Sequence, residues 1–578
     1  MKWALPRPLP TRLCSWMPAG SWKQRRPTSS SAIRKRKERS ASCTPSCIES
    51  RRQHYGSWIQ MTEFILQPEY VLLGGGAPRL EGGLSVLVSS SRIAAIAPAS
   101  TLRAMAPAAH EIDLGGHVLM PGLVNAHQHG RGITALQLGF EDDYLEPWMA
   151  GKRRRQQIDP YLQTLYAALR MVANGVTSVI HANTVGGGRD YPSEVDAALR
   201  AYDESGIRVM FGIGAMDRAE LAYPAECQEV ILGGLPVQLQ AALGDISRPV
   251  YCAGPEATVA LMARLRERYA HYPRITFAYS PAGPQWVSDA LLAALVQDAA
   301  RHAIPIHMHV LESAAQIDAV NACYPDGLMR RLEQLGALGP LTSLAHAVWL
   351  TEDDVAIAAR TGCTLVRNPA SNLRLHAGIA PLAHYVAAGV NVALGSDNTT
   401  LNDDEDLFTE ARLARALTRS PAWDGLPALG TKTLWSMMSA NGARAMGLGD
   451  QIGEIAPGRA ADLVALDLQN VRTPYLDPDL DLLSAILGRA RGGDIRMTMI
   501  GGDIVYRDGQ FTHHDMRTLA ERCRLDGERS KVAPTALSAA QAETLNDHLR
   551  AHYAAQRARN GTVAAASPLS SQTGWVRS

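Results

Sequence analysis

The chain has 578 residues, of which 46% are apolar and 20% charged, and its formal net charge of +1 gives it no electrostatic preference for nucleic acid or for an anionic membrane. No apolar run reaches the roughly 18–20 residues that cross a bilayer, and the first residues lack the apolar core of a secretory leader, which argues against membrane and secreted classes. Eight cysteines in so long a chain make no disulfide framework, and those of the body (Cys227, Cys252, Cys323, Cys363 and Cys523) are scattered, so the expected setting is reducing and cytoplasmic. The length would suit roughly three or four domains, although one barrel can absorb about 250 residues.

Residues 1–61 mix Pro, Ser, Arg and Trp without an apolar face. They read as a disordered basic arm, an Arg- and Ser-rich transit segment, or sequence upstream of a true start at Met61. The last is the reading taken here, because strand patterning begins directly after Met61.

From Phe64 to Leu119 short β runs punctuated by Gly and Pro predict a small antiparallel unit, the first part of a β-sandwich over 62–118. Similar runs return at Ile452-Gly-Glu-Ile, Ala461–Leu466 and Met497–Tyr506, the second part over 451–515, and the two ends are expected to pair. Between them, over 119–450, eight β segments alternate with helical patterns. They end near His129, His181, Ile213, Ser280, His309, His346, Arg367 and Asp397. Eight strand–helix units predict an α/β fold, a (β/α)8 TIM barrel, whose chemistry sits at strand C-terminal ends. Residues 516–560 have helical spacing and are expected to pack on the outside, followed by a flexible tail over 561–578.

The run Val118-Leu-Met-Pro-Gly-Leu-Val-Asn-Ala-His127-Gln-His129 brings two histidines to a strand end, on one face by the period of two. Alone, such a pair can be incidental. The fifth segment adds His307, His309 and Glu312; His309 lies nearer the mouth and is assigned to a metal, with His307 packed beside it. The sixth segment ends at His346 and the eighth at Asp397. Each has an ordinary alternative, a satisfied core histidine or a helix cap. Four such residues at four strand ends suit a borderline divalent ion, Zn²⁺ or Fe²⁺, with zinc the leading choice.

This constellation resembles the amidohydrolase superfamily, in its metal-dependent chlorohydrolase and aminohydrolase branch of triazine- and nucleobase-processing enzymes. The matching residues are Met120-Pro-Gly-Leu-Val-Asn-Ala-His127-Gln-His129, His309-Val-Leu-Glu312, Ala345-His346-Ala-Val-Trp-Leu350, Arg367-Asn-Pro-Ala-Ser-Asn-Leu-Arg-Leu375 and Ala393-Leu-Gly-Ser-Asp397, within a likeness running from about Phe64 to Phe511. The resemblance implies that His127, His129, His309 and Asp397 bind one divalent metal, with Glu312 and His346 flanking the attacking water. The fourth strand, Arg274–Gly283, ends in neither the lysine nor the glutamate of binuclear relatives. That implies a mononuclear site. It also implies a homo-oligomer, a dimer or larger.

Charge then suggests roles. Asp397 accepts the water's proton, His346 steadies the developing charge, and Glu312 protonates a ring nitrogen or the leaving amine if burial raises its pKa. For the small-molecule substrate, His181, Asn183, Gln137, Trp148 and Asn398 are candidate contacts, with Gln137, Trp148 and the acidic run Glu141–Asp143 in a lid-like loop. Asn368, Ser371, Asn372 and Arg374 hold loop geometry or touch substrate, and Asn402 or Asp403 is expected to cap a helix with an acidic first turn. The activity expected is hydrolytic deamination of a cyclic amidine such as a purine, pyrimidine, pterin or triazine. The alternatives are hydrolysis of a linear amide, urea or carbamate, and a non-catalytic binding or assembly barrel that would have lost its ligands.

Overall fold

The computed structural model describes residues 63–152, 155–183, 190–218, 221–224, 226–243, 254–419, 426–533, 535 and 537–560. The expectations for residues 1–61 and 561–578, and Cys252, lie outside these. Five strands, β1 (Glu63–Leu73), β2 (Arg79–Gly82), β3 (Ser85–Ser89), β4 (Arg92–Ala97) and β5 (His110–Pro121), precede the barrel. Its eight strands are β6 (Leu123–Gln128), β7 (Val176–Ala182), β8 (Arg208–Ala215), β9 (Ile275–Pro281), β10 (Ile306–Val310), β11 (Thr342–His346), β12 (Thr364–Arg367) and β13 (Asn391–Leu394). Four more, β14 (Leu463–Asp467), β15 (Ile495–Ile500), β16 (Asp503–Arg507) and β17 (Gln510–Phe511), follow.

The two flanking groups join in one nine-stranded sheet ordered β17-β16-β15-β14-β5-β1-β3-β4, with β2 on β1. Two expectations are corrected here. The β1–β5 pair is parallel, because the chain between them runs through β2–β4 and the helix Ala99–Met105, long enough for a crossover. Ile452–Ile455 forms no strand: Gly453 lies at φ +81° against Ala440 and Ala443, and both isoleucines are buried. Alternation along β5 and β14 gives each strand two tasks. Val118, Met120, Val464 and Leu466 pack toward the barrel helices, while Leu119, Leu463 and Ala465 face the sheet domain's own core.

The barrel strands pair in sequence order, all parallel from β6 to β13, and their inner face is filled by Val124, Ile180, Met210, Ala278, Val366 and Ala393. Gly442, on the helix Ala440–Ala445, packs against Val124 so closely that a Cβ there would lie 2.8 Å from its side chain. The chain passes from one sheet to the other at Gly122, three residues past the 119 boundary expected from the sequence. A Cβ at Gly122 would lie 2.0 Å from Thr177 Oγ1, so only glycine fits the crossing. The barrel seam closes at its mouth, where the Asp397 N–H donates to the His127 carbonyl at 3.0 Å.

The C-terminal helices divide their roles. Met516–Val532 packs outside, placing Leu519 and Cys523 against Leu162, Leu165 and Leu169. Ala539–Asn560 packs outside the barrel strands, placing Leu545, Leu549 and Tyr553 in one cluster with Ala150, Tyr223, Trp286 and Ala315, residues of the segments that follow β6, β8, β9 and β10. Among the described residues no helix is long and apolar enough to cross a membrane.

Candidate metal centre and active site

The strand ends turn sharply to aim their side chains inward. Leu311, His346, Ala347 and Asp397 have φ of 45–66°, a left-handed conformation that costs energy for residues with a Cβ and that clusters where function fixes geometry. In β6 the pairing with β7 shifts between Asn125 and Gln128. Asn125 accordingly bonds outward to Ser396 Oγ at 2.7 Å, whereas His127 and His129 meet the ring of histidines inside.

Three imidazoles have their tautomers set from behind. Nδ1 of His129 lies 2.6 Å from the Ala182 carbonyl and Nδ1 of His309 lies 2.8 Å from the Ala282 carbonyl. A carbonyl can only accept, so both nitrogens carry the proton and both Nε2 atoms present lone pairs. Burial keeps both rings neutral by pushing their pKa values down, that of His309 to about 3. Nδ1 of His127 lies 2.7 Å from Nε2 of His307, whose own Nδ1 lies 2.7 Å from Ser343 Oγ. With Ser343 accepting, His307 accepts from His127. His307 is thus the orienting neighbour of His127.

The lone pairs converge. Nε2 of His129 and of His309 are 3.2 Å apart, and Nε2 of His127 is buried with no hydrogen-bond partner among the described residues. Asp397 Oδ1 lies 3.3 Å from His129 Nε2 and 3.6 Å from His127 Nε2. Facing lone pairs repel unless a cation shares them, so the donor set of three imidazole nitrogens and one carboxylate oxygen fits a divalent ion of the zinc type. Asp397 is steadied at both oxygens, by Ser371 Oγ donating to Oδ2 at 2.5 Å and Asn398 Nδ2 donating to Oδ1 at 2.9 Å. β9 ends in Tyr279, Ser280 and Pro281, which supplies no bridging carboxylate.

His346 differs from the other three. Asn372 Oδ1 accepts from Arg367 at 3.0 Å, which turns the Asn372 amide to donate to His346 Nδ1 at 2.9 Å. Its proton therefore sits on Nε2, and the ring presents a donor in place of a lone pair. Glu312 Oε1 is 3.6 Å from His346 Nδ1, and the Glu312 N–H donates to Gln316 Oε1 at 2.8 Å. Burial, reinforced by the charges of Asp397 and Glu146, pushes the Glu312 carboxyl well above its ordinary value and so favours its protonated form.

Of the candidate substrate contacts, Trp148, Asn183 and Asn398 keep a polar atom free among the described residues: Trp148 Nε1, Asn183 Oδ1 and Asn398 Oδ1 are buried and without partners. The Lys152 ammonium lies 3.5 Å over the Trp148 ring. His181 stacks on Phe211, with Nδ1 2.7 Å from the Tyr202 hydroxyl and Nε2 3.3 Å from Asn183 Nδ2. Gln137 is exposed and closes a turn with Thr134, so its amide is engaged locally. Ser371 and Asn372 orient Asp397 and His346, while Arg374 ties Asp142 to Asp403.

The acidic run after Asp397 is a further correction. Neither Asn402 nor Asp403 caps the long helix; Asp406 caps Leu407–Leu417 by accepting from the Phe408 N–H at 2.8 Å. Glu405 is turned inside at φ 62° and accepts from Gln128 Nε2 (2.7 Å), Thr399 Oγ1 (2.5 Å), Ser396 Oγ (2.5 Å) and Asn125 Nδ2 (3.5 Å). It ties the residue between the two histidines to the residue before Asp397. Sequence reasoning also missed Glu146, buried on the helix Leu145–Gly151 and bonded by Tyr223 and Ser313 hydroxyls. No local pattern marks either glutamate, since each lies in an acidic stretch that reads as solvated.

The model of the amidohydrolase family matches residues 118–505. The chain is 32% identical over 456 residues to a 5-methylthioadenosine/S-adenosylhomocysteine deaminase of Syntrophobacter fumaroxidans, covering 76% of this chain and 92% of that protein. An adenosine deaminase from Xanthomonas campestris, solved with bound zinc, superposes with a TM-score of 0.68 at 25% identity, covering 82% of this chain and 99% of that one. Atrazine chlorohydrolase from Arthrobacter aurescens shares the fold at a TM-score of 0.68 and 21% identity, over 80% of this chain and all of that one (100%). The chain belongs to the amidohydrolase family, in its metal-dependent chlorohydrolase and deaminase branch, and is a hydrolase of carbon–nitrogen bonds other than peptide bonds.

Proposed function

We propose that this amidohydrolase removes ammonia hydrolytically from a cyclic amidine, an aminopurine in the first place and an aminopyrimidine, aminopterin or aminotriazine otherwise, using one zinc ion held by His127, His129, His309 and Asp397. The observation that carries the reading is the convergence of three lone-pair nitrogens and a fixed carboxylate beside a glutamic acid whose protonated form burial favours. The relatives named as deaminases of adenosine-type compounds support the purine end of the range.

A divalent ion, when bound, supplies the Lewis acidity that makes water a nucleophile at neutral pH. Asp397 accepts a proton from the attacking water at a carboxylate oxygen, held in place by Ser371 and Asn398. Glu312 delivers its proton to the ring nitrogen next to the reacting carbon, so the ring can accept the electron pair; the amine then takes the proton held by Asp397 and leaves as ammonia, while the remaining hydroxyl proton returns to Glu312 as the carbonyl forms. His346, with its proton fixed on Nε2 by Asn372, donates to the oxygen on which charge develops. Asn183, Trp148 and Asn398 offer buried polar atoms to the substrate. The free thiols of Cys227, Cys323, Cys363 and Cys523 support a reducing, cytoplasmic setting, and a homo-oligomer is the expected assembly.

The test is ammonia release from a panel of amino-substituted heterocycles, urea, carbamate and linear amides, with zinc-loaded and chelator-treated protein. Ammonia from a heterocycle alone, lost on chelation and restored by zinc, is expected. An acid or a larger amine from the linear compounds, with no ammonia from any ring, would replace this reading.

A further inference from the structure

The turn after β9 holds a buried glutamine that the mechanism above does not use. Gln285 is 2% exposed, and neither its Nε2 nor its Oε1 has a hydrogen-bond partner among the described residues. An amide buried in this way forfeits its bonds to water without replacement, and native proteins rarely keep such a group without a use. The backbone beside it is tied at Trp286. The Trp286 N–H donates to the Gly283 carbonyl at 2.9 Å, and the Trp286 carbonyl accepts from the N–H groups of Asp217 and Arg218 at 3.1 and 3.0 Å.

This turn adjoins the metal centre. It follows the end of a barrel strand, and Ala282, three residues before Gln285, lends its carbonyl to His309 Nδ1. The Gln285 amide folds back over Gly283: a Cβ on that glycine would lie 3.1 Å from both Nε2 and Oε1. Glycine at 283 therefore leaves the space in which the amide sits. Its neighbour Trp286 shares an apolar cluster with Ala150 of the helix Leu145–Gly151 and with Ala315, three residues after Glu312.

We propose that Gln285 is a specificity-determining residue that reads the edge of the heterocycle through paired hydrogen bonds, Nε2–H donating to a ring nitrogen and Oε1 accepting from an adjacent N–H. This rests on the deaminase reading and narrows it: the substrate class is a heterocycle carrying an acceptor and a donor side by side on one edge, as aminopurines, aminopterins and aminotriazines do. A primary amide is the side chain that matches such an edge in both senses at once.

The experiment compares the zinc-loaded protein with Q285L and G283A, using aminopurines, aminopterins and aminotriazines and their deaza counterparts that lack the acceptor nitrogen. Ammonia release, ligand binding by calorimetry, bound zinc and melting temperature are all measured. Q285L is expected to lose about 10–100-fold in kcat/KM on the preferred ring and to abolish the penalty that the unmodified protein imposes on the deaza analogue. It should keep its zinc and melt at the same temperature or about 1–3 °C higher, because an unbonded buried amide has been replaced by an apolar group. G283A should raise KM by crowding the amide while leaving zinc content unchanged.

Deamination by both proteins within threefold of each other overturns the role of Gln285 and leaves the deaminase reading standing. A Q285L protein that loses zinc or melts well below the parent shows a structural glutamine and overturns the proposal. Heterocycle binding that depends on Gln285 with no ammonia released supports the edge-reading role and overturns deamination. Absence of both binding and turnover overturns the two together.

Discussion

Glu405→Gln tests whether the metal centre depends on the carboxylate behind it. Glu405 accepts four side-chain donors, two of which, Gln128 and Ser396, are bonded directly to residues of the centre along the chain. The hydroxyls of Ser396 and Thr399 can rotate to meet an amide. The amides of Gln128 and Asn125 keep N–H groups facing the site, so a glutamine at 405 loses at least one charge-assisted bond, each worth about 1.5–3 kcal/mol. Part of that loss falls on the positions of His127, His129 and Asp397, and removal of such a supporting partner typically weakens metal binding about 10–100-fold. That range corresponds to about 1.4–2.8 kcal/mol, the size of one lost bond. Competition between purified protein and a chelator of known zinc affinity measures the shift directly, with far-ultraviolet circular dichroism to confirm the fold. If zinc affinity stays within threefold of the parent while the melting temperature drops, Glu405 braces the barrel alone and the coupling argued here is wrong.

Glu312→Gln should keep its zinc and lose about 10²–10⁴-fold in kcat, because the amide cannot deliver a proton; turnover within a factor of ten would remove Glu312 from proton transfer. Since burial raises the Glu312 pKa, the parent's activity should hold through the ordinary carboxylate range and fall as pH rises through the raised value, visible in a pH–rate profile of kcat/KM. Glu410, buried with Asn402 and the Ala370 N–H as donors, has its pKa pushed up to about 8, mainly by burial. The folded state then binds more protons than the unfolded one from its ordinary value near 4.5 up to about 8, so its contribution to stability is lost as pH rises through that window. Glu410→Gln should flatten the pH dependence of the melting temperature there, and an unchanged slope would show that Glu410 ionises normally.

Much of the site could be read in the chain because the barrel converts order into position. A strand end is recognisable from local pattern, and each of His129, His309, His346 and Asp397 stands at or just past one. The period of two was a weaker guide within β6, where the shift between Asn125 and Gln128 breaks the alternation that a continuous strand would have kept. The same run crosses between sheets at Gly122, which apolar character alone could not reveal, since both sheets bury it.

What the chain by itself determined was the set of chemical groups and the strand ends that deliver them, because these follow from residue type and short-range periodicity. What only the tertiary structure decided was the company each group keeps. The carbonyls of Ala182 and Ala282 fix two histidine tautomers, and Asn372 fixes the opposite one in His346. Glu405 and Glu146 leave acidic surface-like stretches to become buried acceptors, and the helix Ala539–Asn560 packs with segments that follow β6, β8, β9 and β10. Each of these depends on groups tens to hundreds of residues apart meeting within about 3 Å, where hydrogen bonding becomes strong and directional, and no local pattern records which distant group that will be.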